Sequence, residues 1–366
     1  MRLLPIALAA VVVAATPSFA DHDRGKGRGH QGPKPARPAA VDPCKGDPGA
    51  VRSLRLTVKG QPADARYAVP RGTPRGIVVF DHGYSHTMRS WDRHMSRIAA
   101  QLGVIAVTPD YRGQRNDLSA KPLPTSRGWR VQEGAEDSIA VAQHFERVCT
   151  PTGINVIYGV SMGGNTSGLV LAAQPKDLKG KPLFDYWVDV EGAANVTETY
   201  LVARQLALVN TFAANAVADI EEAFGGSLEE VPDVYAERTV VNRVDDIAAS
   251  GVKGVVMVHG VADGLVTHDE SRQLQALLLA EGVPVDMTAF VTRSSGSEAG
   301  TTIDGYAPTG QQSPFAGHAS EASETHDVGN AGFAALAKIY ETGKVTCGER
   351  VVDGTVPVSP YASLPC

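Results

Sequence analysis

A serine flanked by glycines is the feature of this chain that most directly suggests chemistry. Ser161 lies in the run Gly159-Val160-Ser161-Met162-Gly163, after the apolar segment 154–158 and before small residues that begin at Gly164. The pattern predicts a sharp strand-to-helix turn, whose strained backbone lifts the serine hydroxyl above a sheet. Glycine two positions to either side leaves room for so close a turn. We therefore expect Ser161 to be a nucleophile.

A serine hydroxyl is a poor nucleophile without a base to take its proton and a carboxylate to orient that base. Carboxylates that follow predicted strands downstream of Ser161 are the candidates for the acid. Asp263, in the sequence Gly-Val-Ala-Asp-Gly just past the predicted strand 255–259, is our first choice for the acid. Glu191, which follows the predicted strand 186–190, is the minority alternative.

Apolar segments alternate with segments of helical periodicity around these residues. The predicted strands are 53–58, 65–69, 77–80, 104–108, 154–158, 186–190, 255–259 and, as the last strand, 285–291. The predicted helices are 90–102, 132–148, the start of one after Ser161, 268–279 and a closing helix over 331–340. This alternation predicts an α/β fold with a mostly parallel, doubly wound sheet, whose ligands gather at the carboxyl ends of the strands.

Two stretches interrupt the alternation. Residues 195 to about 250 are helical in pattern where one strand should lead to the next, and we interpret them as a helical cap over the site. Residues 292–325 are rich in Ser, Gly, Thr and Pro, which predicts a long functional or mobile loop.

Two local charge patterns have plain structural interpretations. The acidic pair Glu136-Asp137 lies on a predicted helix and is interpreted as a solvated face. Asp110 and Arg112, after the strand 104–108, are expected to form a structural ion pair.

Composition and the N-terminus indicate an exported protein. The chain has 366 residues, 43% of them apolar, and a net charge of −6 without basic clusters, which argues against nucleic acid as a partner. Residues 1–20 combine a positive start, a short apolar core and Ser-Phe-Ala, the pattern of a signal peptide removed after Ala20. Residues 21–43 are expected to be a disordered linker, and 44–366 the folded domain. No other segment predicts a membrane span, and the oligomeric state stays undetermined.

Four cysteines fit the oxidising compartment that an exported protein reaches. Cys44, Cys149, Cys347 and Cys366 allow three pairings, between which the sequence does not choose. We favour Cys347 with Cys366, closing the C-terminal tail, and Cys44 with Cys149. None has the spacing of metal ligands.

Four motifs together resemble the α/β-hydrolase family, most closely its secreted bacterial esterases and prolyl-oligopeptidase-like serine hydrolases. They are Gly-Val-Ser-Met-Gly at 159–163, Asp-His-Gly-Tyr at 81–84, Pro-Asp-Tyr-Arg-Gly at 109–113 and His-Gly-Val-Ala-Asp-Gly-Leu-Val at 259–266. The resemblance covers about residues 50–342. It implies the family's fold and a Ser-His-Asp triad, and it supports Asp263 as the acid.

The resemblance also guides the choice of base and of oxyanion donors. Related hydrolases carry the catalytic histidine in a Gly-His pair shortly before the closing helix, which favours His318 in Ala-Gly-His-Ala over His326 in Glu-Thr-His-Asp. His326 stays as the alternative base. The backbone N–H of Met162 is one expected oxyanion donor, and by resemblance that of Tyr84 is the second.

The leading hypothesis is an exported serine hydrolase that cleaves small-molecule or polymeric carboxylic esters through an acyl-enzyme. It requires neither a metal nor an organic cofactor. A serine peptidase or amidase of the prolyl-oligopeptidase type is the alternative. A peptidase that recognises the end of a peptide would need a charged residue to bind it, such as Glu221-Glu222 or Glu229-Glu230. A binding protein that keeps the fold without the chemistry is a third hypothesis.

Overall fold

The computed structural model describes residues 42–116, 126–261, 263–291, 318–319, 321, 326–353, 356–357 and 362–363. The expected signal peptide, nearly all of the expected linker and most of the predicted loop 292–325 lie outside these residues. Within them, no helix combines the length and the apolar character needed to cross a bilayer.

One sheet of 11 strands forms the centre of the described part of the chain. Its strands are β1 (Arg52–Val58), β2 (Gln61–Ala68), β3 (Ile77–Asp81), β4 (Ile105–Pro109), β5 (Val156–Val160), β6 (Tyr186–Val190), β7 (Val255–Gly260), β8 (Val285–Phe290), β9 (Gly348–Asp353), β10 (Val356–Pro357) and β11 (Ala362–Ser363). Their order across the sheet is β1-β2-β4-β3-β5-β6-β7-β8-β9-β10, with β11 paired to β9.

The strands β3 to β9 run parallel, and the others pair antiparallel at the two sides. Every residue of β3 to β8 is buried, which explains why these segments are continuous apolar runs rather than alternating ones. In the register of the sheet, Val160 pairs with Val190 and Val190 with Val258. The residues that follow β5 and β6, Ser161 and Glu191, therefore emerge at the same edge.

Helices cover both faces of the sheet. They are α1 (Asp92–Leu102), α2 (Val131–Cys149), α3 (Met162–Ala172), α4 (Val196–Leu206), α5 (Thr211–Phe224), α6 (Pro232–Arg238), α7 (Val244–Ser250), α8 (His268–Ala280) and α9 (Asp327–Thr342), with short 3-10 helices at Met88–Trp91 and Val240–Arg243. Helices α1 and α9 pack into one hydrophobic core, and α2, α3, α7 and α8 pack into a second core on the opposite face. The predicted doubly wound α/β fold is confirmed.

The helices α4 to α7 occupy the interval between β6 and β7 that the sequence predicted to be helical. Asn195 and Asn210 cap α4 and α5, because their side-chain oxygens accept the N–H groups of Glu198 and Ala213 at 3.2 and 3.0 Å. We refer to the two helices α4 and α5 as the cap helices.

The helix predicted over 331–340 is present as α9, but the prediction that 285–291 is the last strand is wrong. After α9 the chain returns to the sheet as β9, parallel to β8, with pairs that run from Asp286–Gly348 to Phe290–Val352. Charged residues at 349, 350 and 353 interrupt this strand. It therefore lacks the apolar run that marks the buried strands, and only pairing with β8 defines it.

The predicted solvated face at Glu136-Asp137 is also wrong. Asp137 is fully buried in α2 and accepts hydrogen bonds from the backbone and the guanidinium of Arg112, while Glu136 pairs with the same guanidinium. Arg112 thus pairs with α2 and not, as expected, with Asp110. Asp110 instead accepts from Asn116 and from the N–H of Met88.

The predicted Cys44–Cys149 disulfide is confirmed. It joins the segment before β1 to the end of α2, with a Cα–Cα distance of 5.3 Å and a sequence separation of 105 residues. In the chain-entropy model a loop of this length stabilises the folded state by roughly 4–5 kcal/mol. Cys347 is also disulfide-bonded. Cys366, its expected partner, lies outside the described residues.

Candidate active site

Ser161 lies at a strained turn between β5 and α3. Its backbone angles are φ 59° and ψ −124°, a combination that non-glycine residues rarely adopt. A Cβ on Gly163 would lie 2.1 Å from the carbonyl oxygen of Asp81, and one on Gly159 would lie 2.2 Å from that of Gly163. Both glycines are therefore required by close backbone approach, as the sequence pattern predicted.

The structure brings Asp263 and His318 into direct contact. Nδ1 of His318 lies 2.7 Å from Oδ2 of Asp263. The other oxygen of this carboxylate accepts the N–H groups of Leu265 and Val266 at 2.8 and 3.1 Å, which fixes its orientation. His318 and Ser161 line the same cavity. With Nδ1 held by Asp263, Nε2 of His318 is the ring atom left for the serine.

Glu191, the alternative acid, is present at the site in a different position. Its Oε2 lies 3.7 Å from Nδ1 of His318, an ångström farther than the oxygen of Asp263. Its two oxygens accept the N–H groups of Gly260, at 2.9 Å, and of Ala319. Glu191 therefore ties β6 to the end of β7 and to the segment that carries His318, whereas Asp263 contacts the imidazole.

His259 is a site residue that the sequence analysis missed. Its Nε2 lies 3.4 Å from Oδ2 of Asp263, and its ring also contacts the hydroxyl of Ser271 and the carbonyl of Val266. A histidine at the end of a strand, four residues before the proposed acid, was the available signal. Burial by itself would lower the pKa of His259, but the Asp263 carboxylate beside it raises that pKa.

Two carboxylates close to one imidazole shift the titration of all three groups. Burial alone would lower the pKa of His318, but the charges of Asp263 and Glu191 outweigh it and raise this pKa to about 9. Burial and the charge of Asp263 raise the pKa of Glu191 to about 7. Burial opposes ionisation of Asp263, yet His318 and His259 hold its pKa well below the usual value. At neutral pH the imidazole is therefore largely protonated, and activity that needs a neutral base should rise with pH.

Replacing Glu191 with glutamine should move the acid limb of the pH profile to lower pH. Near pH 9, where His318 titrates, Glu191 is ionised, so the substitution removes a negative charge that favours the imidazolium. We expect the apparent pKa in kcat/KM for p-nitrophenyl butyrate to fall by about 1 unit. Rates measured between pH 5 and 10 would test this shift. Glu341→Gln, on the exposed surface of α9, serves as the matched control. An unchanged or higher apparent pKa would contradict the electrostatic coupling.

The two predicted oxyanion donors belong to two different backbone segments next to Ser161. Met162 is the first residue of α3, and Tyr84 follows Gly83 in the loop after β3. A Cβ on Gly83 would lie 3.3 Å from Cβ of Ser161, so this loop packs directly on the serine. Among the described residues, no acceptor binds the N–H of Tyr84 or of Met162. Both N–H groups are thus available to a ligand.

The side chain of Tyr84 connects this loop to the cap helices. Its hydroxyl donates to Oδ2 of Asp219 in α5 at 2.6 Å, and Asp219 also accepts from Arg115 and from the N–H of Gly128. Glu222, one turn farther along α5, pairs with Arg115 and Arg130. The hydrogen bond from Tyr84 therefore joins α5 to the loop after β3, and the charge pairs join α5 to the segment between β4 and α2.

A cavity of about 270 Å³ opens onto Ser161 and His318. The walls that come from α4 and α5 are mostly apolar, and they consist of Thr199, Val202, Ala203, Leu206, Phe212, Ala213 and Ala216. The loop after β3, Trp129 and the segments around Asp263 and His318 form the other walls. The cap helices thus contribute much of the surface that a substrate would contact.

Several predicted candidates lie elsewhere. His326, the alternative base, precedes α9 and is not among the residues that line the cavity. The cap carboxylates considered as substrate anchors have protein partners: Glu221 accepts from Tyr200, Glu222 pairs with two arginines, Glu229 pairs with Arg204, and Glu230 accepts from Ser227. Within the described residues, the carboxylate that lines the cavity is Glu321, which the sequence analysis did not single out.

Glu191, Asp263 and His318 also form a group with metal-ligand character, because their ligand atoms lie within 4.8 Å of one another. Each carboxylate in the group already accepts two backbone N–H bonds. The direct Asp263–His318 contact suits an acid–base pair, and we interpret the group in that way.

Comparison with known proteins identifies the family. A sequence profile of the prolyl oligopeptidase family matches residues 90–296, more than half of the chain. The chain belongs to the prolyl oligopeptidase family. The matched range contains Ser161, Glu191, His259 and Asp263, while His318 and Glu321 lie beyond its end. No curated protein sequence matches the chain significantly.

Solved structures agree on the fold of this family member. A puromycin-hydrolyzing peptidase from Mycobacterium tuberculosis is 19% identical, with a TM-score of 0.51 over 84% of this chain and 42% of its own. A puromycin hydrolase is 16% identical, with a TM-score of 0.52 over 84% of this chain and 40% of its own. A carboxyl esterase from Bacillus coagulans is 15% identical, with a TM-score of 0.46 over 66% of this chain and 90% of its own. The chain spans less than half the length of the first two. The two structures with TM-scores above 0.5 show the α/β-hydrolase fold and do not specify a substrate.

Proposed function

We propose that this protein is an exported serine hydrolase that cleaves carboxylic esters through an acyl-enzyme. Ser161 is the nucleophile, His318 the general base and Asp263 the carboxylate that orients it. The observation that carries the proposal is the 2.7 Å contact between Asp263 and His318, at a cavity that His318 shares with the strained Ser161.

The proposed reaction follows from the positions of these groups. Oγ of Ser161 attacks the acyl carbon while Nε2 of His318 takes its proton, and the carbonyl oxygen gains negative charge between the N–H groups of Tyr84 and Met162. His318 then returns the proton to the departing alcohol, which leaves an acyl-serine. A water molecule attacks this ester, loses a proton to His318 and releases the acid, after which the proton returns to Ser161. Each backbone donor is worth about 3 kcal/mol in the transition state.

The cavity supports an ester with a short, moderately apolar acyl group. Its volume of about 270 Å³ is small, and Val202, Leu206 and Phe212 of the cap helices make one of its walls apolar. Hydrolysis of a peptide or amide is the second candidate, and membership of the prolyl oligopeptidase family is the observation that favours it. Both reactions use the same acyl-enzyme and differ in the leaving group.

Export is supported by the disulfide between Cys44 and Cys149 and by the signal-peptide pattern of residues 1–20. Disulfides of this kind persist in oxidising compartments. We therefore place the mature protein outside the cytoplasm, in the periplasm or the medium.

Turnover of matched chromogenic substrates tests the proposed chemistry. We expect p-nitrophenyl butyrate to give a higher kcat/KM than the acetate, which fills less of the cavity, or the octanoate, which overfills it. Alanine p-nitroanilide should be cleaved at least 100-fold more slowly than the butyrate ester. Steady-state rates at pH 8 with the oxidised protein provide the comparison.

The same assay separates the alternatives. Faster cleavage of the anilide would replace the ester assignment with the peptidase one. If the protein cleaves neither class of substrate and a fluorophosphonate does not label Ser161 stoichiometrically, the protein is a binding protein that keeps the fold without the chemistry.

A further inference from the structure

Glu321 is a buried carboxylate in the wall of the proposed active site. Its side chain is 2% exposed, and it lines the cavity together with Ser161 and His318. Its Oε1 accepts the N–H of Gly83 at 2.6 Å, which places the carboxylate against the loop that carries Tyr84. Oε2 accepts no hydrogen bond from any residue that the structure describes.

The charge of Glu321 lacks a permanent counter-ion in the described part of the chain. Among the described residues, no lysine or arginine lies within ion-pair distance of Glu321. The one basic group at that distance is His86, whose Nδ1 lies 3.5 Å from Oε1 of Glu321. Buried carboxylates are normally paired, because desolvation of the charge is costly. A cation supplied by the substrate would complete the pair.

The position of Glu321 relative to Ser161 limits where that cation lies in the substrate. A Cβ placed on Gly83 would be 3.3 Å from Cβ of Ser161 and 3.4 Å from each oxygen of Glu321. The serine and the carboxylate therefore flank the same point of the loop. A cation that contacts Glu321 can therefore lie close to the carbonyl carbon that Ser161 attacks. An ammonium group on the adjacent carbon, as in an α-aminoacyl ester, satisfies this condition.

We propose that Glu321 binds the α-ammonium group of the acyl moiety, so that the protein selects α-aminoacyl esters over uncharged acyl esters. The inference rests on the proposed function, because it takes Ser161 as the nucleophile. It names a substrate class for that site. Acyl groups with a negative charge close to the carbonyl are rejected by the same carboxylate.

The test compares alanine benzyl ester with propionic acid benzyl ester, which differ only in the α-amino group. Release of benzyl alcohol at pH 6.5, where the amino group is protonated, gives kcat/KM for each ester. The uncatalysed hydrolysis rate of each ester in the same buffer at pH 6.5 corrects for intrinsic reactivity. We expect the wild-type protein to prefer the alanine ester at least tenfold after this correction. Glu321→Gln keeps an acceptor for the N–H of Gly83 but removes the charge, and it should reduce the preference at least tenfold, mainly through KM. Glu341→Gln is the control for the same change at an exposed site and should keep the wild-type ratio.

Each other outcome counts against the inference. If Glu321→Gln slows both esters equally, the carboxylate only positions the loop of Gly83, and the inference is wrong. If the wild-type protein cleaves both esters without preference, the inference fails while the proposed function stands. If it cleaves neither these esters nor p-nitrophenyl butyrate, the proposed function falls and the inference falls with it.

Discussion

Replacing Ser161 with alanine is expected to lower kcat for p-nitrophenyl butyrate by at least about 10,000-fold. The variant lacks the oxygen that forms the acyl-enzyme, so only the oxyanion donors and substrate binding remain. Alanine removes a single atom from a half-buried side chain and leaves the turn between β5 and α3 intact. KM should change little. Steady-state rates and stoichiometric labelling by a fluorophosphonate measure the effect, and labelling should disappear with turnover.

Ser53→Ala is the matched control, because Ser53 lies exposed on β1, far along the chain from the site. It should retain wild-type turnover and labelling. If Ser161→Ala cleaves the ester at more than one-hundredth of the wild-type rate, a different residue is the nucleophile and the proposed mechanism is wrong.

Replacing His318 with alanine is expected to lower kcat by about 10,000-fold as well, since Ser161 then has no base. In the wild-type protein, the elevated pKa of His318, about 9, should make the rate fall as the pH is lowered. The residual rate of the variant should not show this fall. With His318 absent, Asp263 loses its principal partner, so the folded fraction of the variant must be checked by circular dichroism. A pH–rate profile of the wild-type protein and of the variant measures both effects.

His326→Ala separates the two candidate histidines. His326 lies at the start of α9 and outside the wall of the cavity, so this variant should keep kcat within about fivefold of wild type once its stability is accounted for. The reverse pattern, an active His318→Ala and an inactive His326→Ala, would exchange their roles.

Much of the candidate site could be predicted from local signals. The glycines on both sides of Ser161 are required by the close backbone approach at the turn. Because this requirement is local, it is visible in the sequence. Asp263 follows a predicted strand, and the carboxyl ends of parallel strands meet at one edge of the sheet. The choice of His318 came from the resemblance to related hydrolases, which carry this residue in a Gly-His pair. The contact between the two residues joins positions 55 apart in the sequence, and the direction of the strands brings them together.

The roles of Glu191, His259 and Glu321 depended on the folded structure. Each is buried and polar, and a single sequence does not distinguish such a residue from an exposed one. Glu321 lies 238 residues from Gly83, and its hydrogen bond to that residue has no local signature. The burial of Asp137 was missed for the same reason, because its partner Arg112 comes from another element.

By itself, the sequence determined the α/β class, the strand-to-helix turn at Ser161 and the helical nature of the cap interval. These features arise from interactions between near neighbours: runs of β-branched residues, glycines at a tight turn and helical periodicity. Only the tertiary structure decided that β9 extends the sheet, that Asp263 rather than Glu191 contacts His318, and that Glu321 faces the cavity. Those outcomes depend on contacts between distant segments, which the packing of the whole chain sets and which no local pattern encodes.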